Sequence, residues 1–163
     1  MNEALALAIQ TEQDGIAYYT AAAERTADTM GKKMFMSLVA DEKRHLAILK
    51  KLSCEEDVCI DDLGSVMPKE RLRTIFSEAG TPSADLPAEA GDLEALRLAM
   101  EMERKGYEQY RRAAVDAKDP DVARIYERLA SEENEHWEIL QDTLSYLEDT
   151  GNWYMWAEHR FPQ

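Results

Sequence analysis

The chain has 163 residues, 45% hydrophobic and 32% charged, a length and balance that suit one domain with a buried core and exclude a disordered chain. Its formal net charge of −14 argues against nucleic acid and anionic membranes as partners, and no run of 18 apolar residues is present to span a bilayer. Two cysteines make no disulfide framework, and Met1-Asn2-Glu3-Ala4 lacks the basic start of a secretory signal, so a cytoplasmic location is expected.

Only seven Gly and five Pro occur, which favours helix throughout. A first helix is predicted over about 3–27, with a stripe of Leu5, Ala8/Ile9, Glu12, Gly15/Ile16, Tyr19 and Ala22/Ala23 spaced three and four apart. A turn near Asp28–Gly31 starts a second, over about 31–53, whose stripe is Phe35, Leu38, Glu42, His45, Leu49 and Leu52. Residues 53–91 hold three of the five Pro and read as a long crossover, within which Leu72, Ile75, Phe76 and Ala79 predict a short helix over 69–79. The third helix opens at Gly91-Asp92, with Asp92 as N-cap, and runs to about 117. Its stripe is Leu96, Ala99/Met100, Glu103, Gly106/Tyr107, Tyr110 and Ala113/Ala114. Asp119 and Pro120 suit the N-cap and first position of a fourth helix, which carries Tyr126, Leu129, Glu133, His136, Leu140, Thr143 and Leu147 and ends near Thr150-Gly151. The bundle is therefore assigned to 1–150. The remaining tail, 151–163, with Trp153, Tyr154, Trp156 and Phe161, is expected to cover an apolar surface of this or a neighbouring subunit.

The two halves repeat. Residues 4–52 set against 95–143 give 15 identities in 49 pairs with no gap, and the constant offset of 91 carries Glu12 onto Glu103, Gly15 onto Gly106, Tyr19 onto Tyr110, Glu42 onto Glu133 and His45 onto His136. A helical hairpin has been duplicated. Short turns make each pair of helices antiparallel, and the long link lets the second hairpin pack on the first around a two-fold pseudo-axis, giving an all-α four-helix bundle.

Each half supplies one isolated Glu and one Glu-x-x-His: Glu12, Glu42 and His45, then Glu103, Glu133 and His136. All six sit on apolar stripes, where the pattern calls for Leu or Ala. A carboxylate buried without a partner costs several kcal/mol, and four together repel one another, so a pair of cations gives them a reason to converge. Glu and His three apart share a helix face, so one can bridge two metals while the other terminates one. This donor set, free of Cys, suits iron or manganese, with zinc a less distinctive alternative. A single Glu-x-x-His on a Glu-rich helix is ordinarily a solvated pair; the matched register of two is what makes these a site.

Gly15 and Gly106, inside helices at a cost of about 1 kcal/mol each, suggest space for a small ligand or close helix approach beside the cluster. Tyr19 and Tyr110 are placed to hydrogen-bond a carboxylate of the opposite helix, with core packing as the plainer alternative. Cys54 and Cys59, without a second pair, cannot form a four-thiolate iron site and read as free thiols. His159 lies in the tail without the motif spacing.

The phrase from Ala95 through Glu103 to Tyr110, followed by Leu129 to His136, together with its counterpart from Ala4 to His45, resembles the ferritin-like superfamily and most closely the di-iron domain of the rubrerythrin family. The resemblance covers about 3–148. It implies a ferritin-like bundle with two iron ions, Glu12 and Glu103 as terminal ligands, Glu42 and Glu133 as bridges, and His45 and His136 on one iron each. It further implies a non-haem di-iron oxidoreductase that reduces hydrogen peroxide or reacts with dioxygen in oxidative-stress defence, as a homodimer. A ferroxidase or iron-handling protein, or a metal-binding structural bundle without turnover, is the alternative. Two departures stand out. The cysteines of an appended rubredoxin domain are missing, so an external electron-donor protein such as a rubredoxin is expected. Met100 and Gly106 occupy the positions three from Glu103, where the family carries a further Glu.

Overall fold

A computed structural model describes residues 3–56, 58–79 and 89–151. Five α-helices follow one another: α1 (Glu3–Arg25), α2 (Thr29–Ser53), α3 (Pro68–Ala79), α4 (Ala90–Asp116) and α5 (Pro120–Thr150), with a 3-10 turn at Ile60–Leu63 that periodicity had not marked. No strand occurs among the described residues. Four long helices form the bundle and α3 is the short helix of the crossover, so the all-α, ferritin-like class holds. The aromatic tail beyond Gly151, including His159, lies outside the described residues.

Side-chain caps explain where the helices begin. Asp28 Oδ1 accepts from the N–H groups of Met30 and Gly31 at 2.8 and 2.9 Å, so α2 starts at Thr29, two residues earlier than the turn signal suggests. Asp119, its counterpart under the 91-residue offset, caps α5 as expected, accepting from Asp121 N–H at 2.8 Å with Pro120 in first position. Asp92 is not an N-cap. It lies inside the first turn of α4 and reaches back to the N–H of Glu89 at 2.9 Å, so the cap is Glu89 and the helix opens at Ala90. α5 ends at Gly151, whose φ of +66° is the left-handed conformation that glycine adopts without strain.

Thr11 meets Gln109 and Tyr18 meets Ala95, so α1 and α4 run antiparallel. The apolar stripes close into two separate cores. One gathers Tyr19, Met34, Phe35, Leu38, Leu96 and Leu140; the other gathers Leu49, Leu63, Tyr110, Ile125, Tyr126 and Leu129. In each helix the residues of one core precede the motif residues and those of the other follow them. The bundle is thus two apolar plugs with a polar layer between, and burial of each large side chain, about 1.5–3 kcal/mol, offsets the cost of that layer. α3 packs against both α2 and α5 and closes the layer from the crossover side.

Candidate metal centre

The polar layer consists of the six residues singled out above. Glu12, Glu42, Glu103 and Glu133 are all at most 4% exposed, and both histidines are fully buried. Ligand atoms of Glu12, Glu42, His45 and Glu133 lie within 4.8 Å of one another, as do those of Glu42, Glu103, Glu133 and His136. The two foursomes share Glu42 and Glu133, which gives two adjacent positions with common carboxylates between them. The imidazoles stack across the pseudo-axis with centroids 5.8 Å apart.

Four of the atoms facing this centre make no hydrogen bond. Among the described residues, Glu12 Oε2, Glu133 Oε1, His45 Nδ1 and His136 Nδ1 are buried without a hydrogen bond. His45 Nδ1 lies 3.0 Å from Glu133 and 3.1 Å from Glu42; His136 Nδ1 lies 3.4 Å from Glu42 and 3.5 Å from Glu103. Buried polar atoms are rarely left unpaired. Four of them converging among four carboxylates fit cations as the missing partner, and the oxygen–imidazole set suits iron, manganese or zinc.

Without cations, protons must balance the cluster. Burial pushes the Glu12 carboxyl up to about 8, with the charge of Glu42 adding to it. Burial, then Glu42 and Glu103, raise Glu133 well above the ordinary carboxylate range. Burial opposes ionisation of Glu42 too, but the imidazoles of His136 and His45 beside it outweigh that and hold the group well below the range. For both histidines burial favours the neutral ring, yet the surrounding carboxylates win and raise them. Those protons are what a metal would displace.

Two acids that the sequence reading passed over support the histidines from behind. His45 Nε2 lies 3.2 Å from Glu132 of the other hairpin, and His136 Nε2 lies 3.1 Å from Asp41 of the other hairpin. A carboxylate behind Nε2 holds the proton there and leaves the Nδ1 lone pair for a metal. Asp41 and Glu132 are counterparts under the same offset, but as an Asp–Glu pair they escape a count of identities, and on acidic helices each reads as a surface charge. Both are buried. Arg44 and Arg71 each pair with both acids, and Arg128 pairs with Glu132, closing a ring of alternating charge. Although burial opposes ionisation of Asp41, His136 and the arginines hold its carboxyl at about 2. Arg71 comes from α3, so the crossover helix contributes to the site.

The tyrosines cross over in the same way. The Tyr19 hydroxyl donates to Glu103 and the Tyr110 hydroxyl to Glu12, each on the other hairpin. Burial and the adjacent carboxylates raise both phenols, keeping them protonated as donors. At Gly15 an added Cβ would stand 3.6 Å from Glu42 Cγ, and at Gly106 3.3 Å from Glu133 Oε2, so at both glycines helix backbone runs close against a shared carboxylate. Both also line a cavity of about 20 Å³ together with Thr11, Glu12, Met102 and Glu103. That is room for about one water-sized molecule on the face of the cluster away from the histidines. Cys54 and Cys59 are exposed free thiols remote from it.

The family model described as Rubrerythrin matches the chain twice, over residues 3–144 and over 94–159, the second match beginning near the start of the repeated hairpin. No curated protein and no solved structure matches the chain.

Proposed function

We propose that this chain, which belongs to the rubrerythrin family, is a non-haem di-iron oxidoreductase that reduces hydrogen peroxide or reacts with dioxygen, drawing electrons from an external donor protein such as a rubredoxin. The observation that carries the reading is the convergence of four buried ligand atoms that make no hydrogen bond among four carboxylates, two of them shared. Glu12, Glu42 and His45 would hold one iron and Glu103, Glu133 and His136 the other, with Glu42 and Glu133 common to both. When bound, two adjacent irons supply two electrons at one place, which is what cleaving an O–O bond requires. The protein's own part is positional. Tyr19 and Tyr110 hold the lone carboxylates, Asp41 and Glu132 set the imidazole tautomers, and the glycines leave a space the size of a small oxidant against the carboxylate face.

Anaerobic loading with ferrous iron followed by hydrogen peroxide tests this. Two irons per chain, oxidised rapidly by peroxide and restored by a reductant, are expected. A ferric core that grows only with dioxygen would favour the iron-handling reading. Binding of metal with no response to either oxidant would leave a structural bundle and refute the oxidoreductase.

A further inference from the structure

The seam between α1 and α4 beside the cluster breaks the pseudo-symmetry. Under the 91-residue offset Thr11 corresponds to Met102, and Tyr18 to Gln109. On one side of the small cavity the Thr11 hydroxyl lies 3.1 Å from Gln109 Oε1 across the seam and 3.0 Å from the Leu7 carbonyl of its own helix, two acceptors for one hydrogen. On the other side Met102 lines the cavity, and the Tyr18 hydroxyl is spent on the Ala95 carbonyl at 2.7 Å. One side is polar, and the other presents a thioether and an engaged phenol.

Gln109 lines a second, larger cavity of about 530 Å³, bounded by Leu7, Arg112, Lys118 and Tyr126 where α1 begins, α4 ends and α5 begins. Thr11 therefore belongs to the inner cavity and Gln109 to the outer one, with a single hydrogen bond joining them. The Gln109 amide is at most half used: Oε1 shares the Thr11 hydroxyl with the Leu7 carbonyl, while Nε2 is buried with no hydrogen bond among the described residues. Whichever way the amide is turned, Thr11 engages one end and the other remains over. A buried amide end without a partner is costly, and a small molecule that both donates and accepts would satisfy it.

We propose that the Thr11–Gln109 pair is the entrance to the cluster, passing a small neutral hydrogen-bonding molecule of the hydrogen peroxide type from the outer to the inner cavity, with Gln109 as the residue that selects it. This rests on the oxidant reading above. Dioxygen is apolar and gains nothing from the amide, so the pair discriminates between the two oxidants, and Met102 opposite has no such part.

The test compares wild type with Gln109→Leu, Thr11→Val and the control Glu101→Gln, an exposed position on α4 outside both cavities. In stopped flow with the ferrous-loaded protein, Gln109→Leu should slow oxidation by peroxide about tenfold and oxidation by dioxygen less than twofold, while Glu101→Gln leaves both unchanged. An independent readout is the association of hydroxylamine, which at mildly alkaline pH is neutral and both donates and accepts, with the cobalt(II)-loaded protein, followed by visible absorption. Gln109→Leu should slow it about tenfold with cobalt affinity unaltered. Equal slowing of both oxidants, or wild-type rates for peroxide and hydroxylamine in the Gln109 and Thr11 variants, would overturn the entrance. Failure of wild type to take up two cobalt ions would instead sink the metal-centre reading. Cobalt uptake without peroxide turnover would sink the oxidant reading and leave hydroxylamine to decide the route.

Discussion

Replacing Glu132 by Gln removes one charge from the most enclosed point of the ring and little else. Its side chain is fully buried and faces His45 at 3.2 Å, Arg71 at 2.9 Å and Arg128 at 3.0 Å, with Arg44 as a fourth partner. Breaking a buried ion pair by removing one member costs about 3–5 kcal/mol. The three arginines keep 20–25% exposure, so water recovers part of their solvation and the lower end applies. A loss of about 3 kcal/mol in a chain of this size lowers Tm by about 6–12 °C. The metal effect is separate and local. With no carboxylate behind Nε2, His45 loses its enforced tautomer, and affinity at that position should fall about 10–100-fold, the range for such outer partners. The position terminated by His136 rests on Asp41 and should be spared. Thermal unfolding by circular dichroism in chelator measures the first effect, and cobalt(II) titration by visible absorption the second, with exposed Glu127→Gln as a neutral control. A Tm within 2 °C of wild type together with two unaltered cobalt affinities would refute the assignment of Glu132. Equal weakening of both positions would refute the local wiring.

Gly15→Ala meets only ordinary contact at 3.6 Å and removes a mid-helix glycine, so it should raise stability by about 1 kcal/mol with both metals retained; a lower Tm would contradict this. Gly106→Ala places its methyl 3.3 Å from Glu133 Oε2 and should lose that gain while weakening metal binding, read by the same titration. Tyr110→Phe leaves Glu12 without its donor, and about 1–3 kcal/mol of stability should go with it, measured by urea unfolding. The metal-free protein should become less stable as pH rises. Glu12, at about 8 when folded against about 4.5 when free, carries a proton that the unfolded chain has lost, so its stabilising share is complete below 4.5 and gone above 8. Glu133 and both raised histidines act in the same direction, while the lowered Glu42, Asp41 and Glu132 lose their contributions only as acid protonates them. Tm in chelator should therefore fall from pH 5 to pH 9, and metal loading at pH 7 should release protons detectable with an indicator dye; a rising Tm or no release would contradict the protonation pattern.

The bundle was legible because periodicity and capping are local. The stripes of α1, α2, α4 and α5 mark their inward faces without reference to any other helix, and Asp119-Pro120 marks a start by itself. The six-residue cluster was legible because duplication wrote it twice in one register. Asp41, Glu132 and Arg71 were not, since what distinguishes them is a partner 61 to 95 residues away, and an acid beside Glu42 looks no different from one bathed in water. Asp92 was misplaced for a related reason: a capping acid reads the same from either side of the first turn, and only the backbone donor it reaches, Glu89 N–H, decides.

The crossing of partners between hairpins has a consequence for how such a chain could have arisen. Tyr19 serves Glu103 while Tyr110 serves Glu12, and each histidine leans on an acid from the opposite half. A lone hairpin with one Glu, one Tyr and one Asp-Glu-x-x-His holds half of every such contact and the whole of none. An ancestral copy could build this centre only against a second copy of itself, and fusion through the crossover would turn that encounter between chains into an intramolecular event, its gain one of effective concentration with no new contact needed. The same reciprocity restrains later divergence, because a change in either half is felt by the ligands of the other.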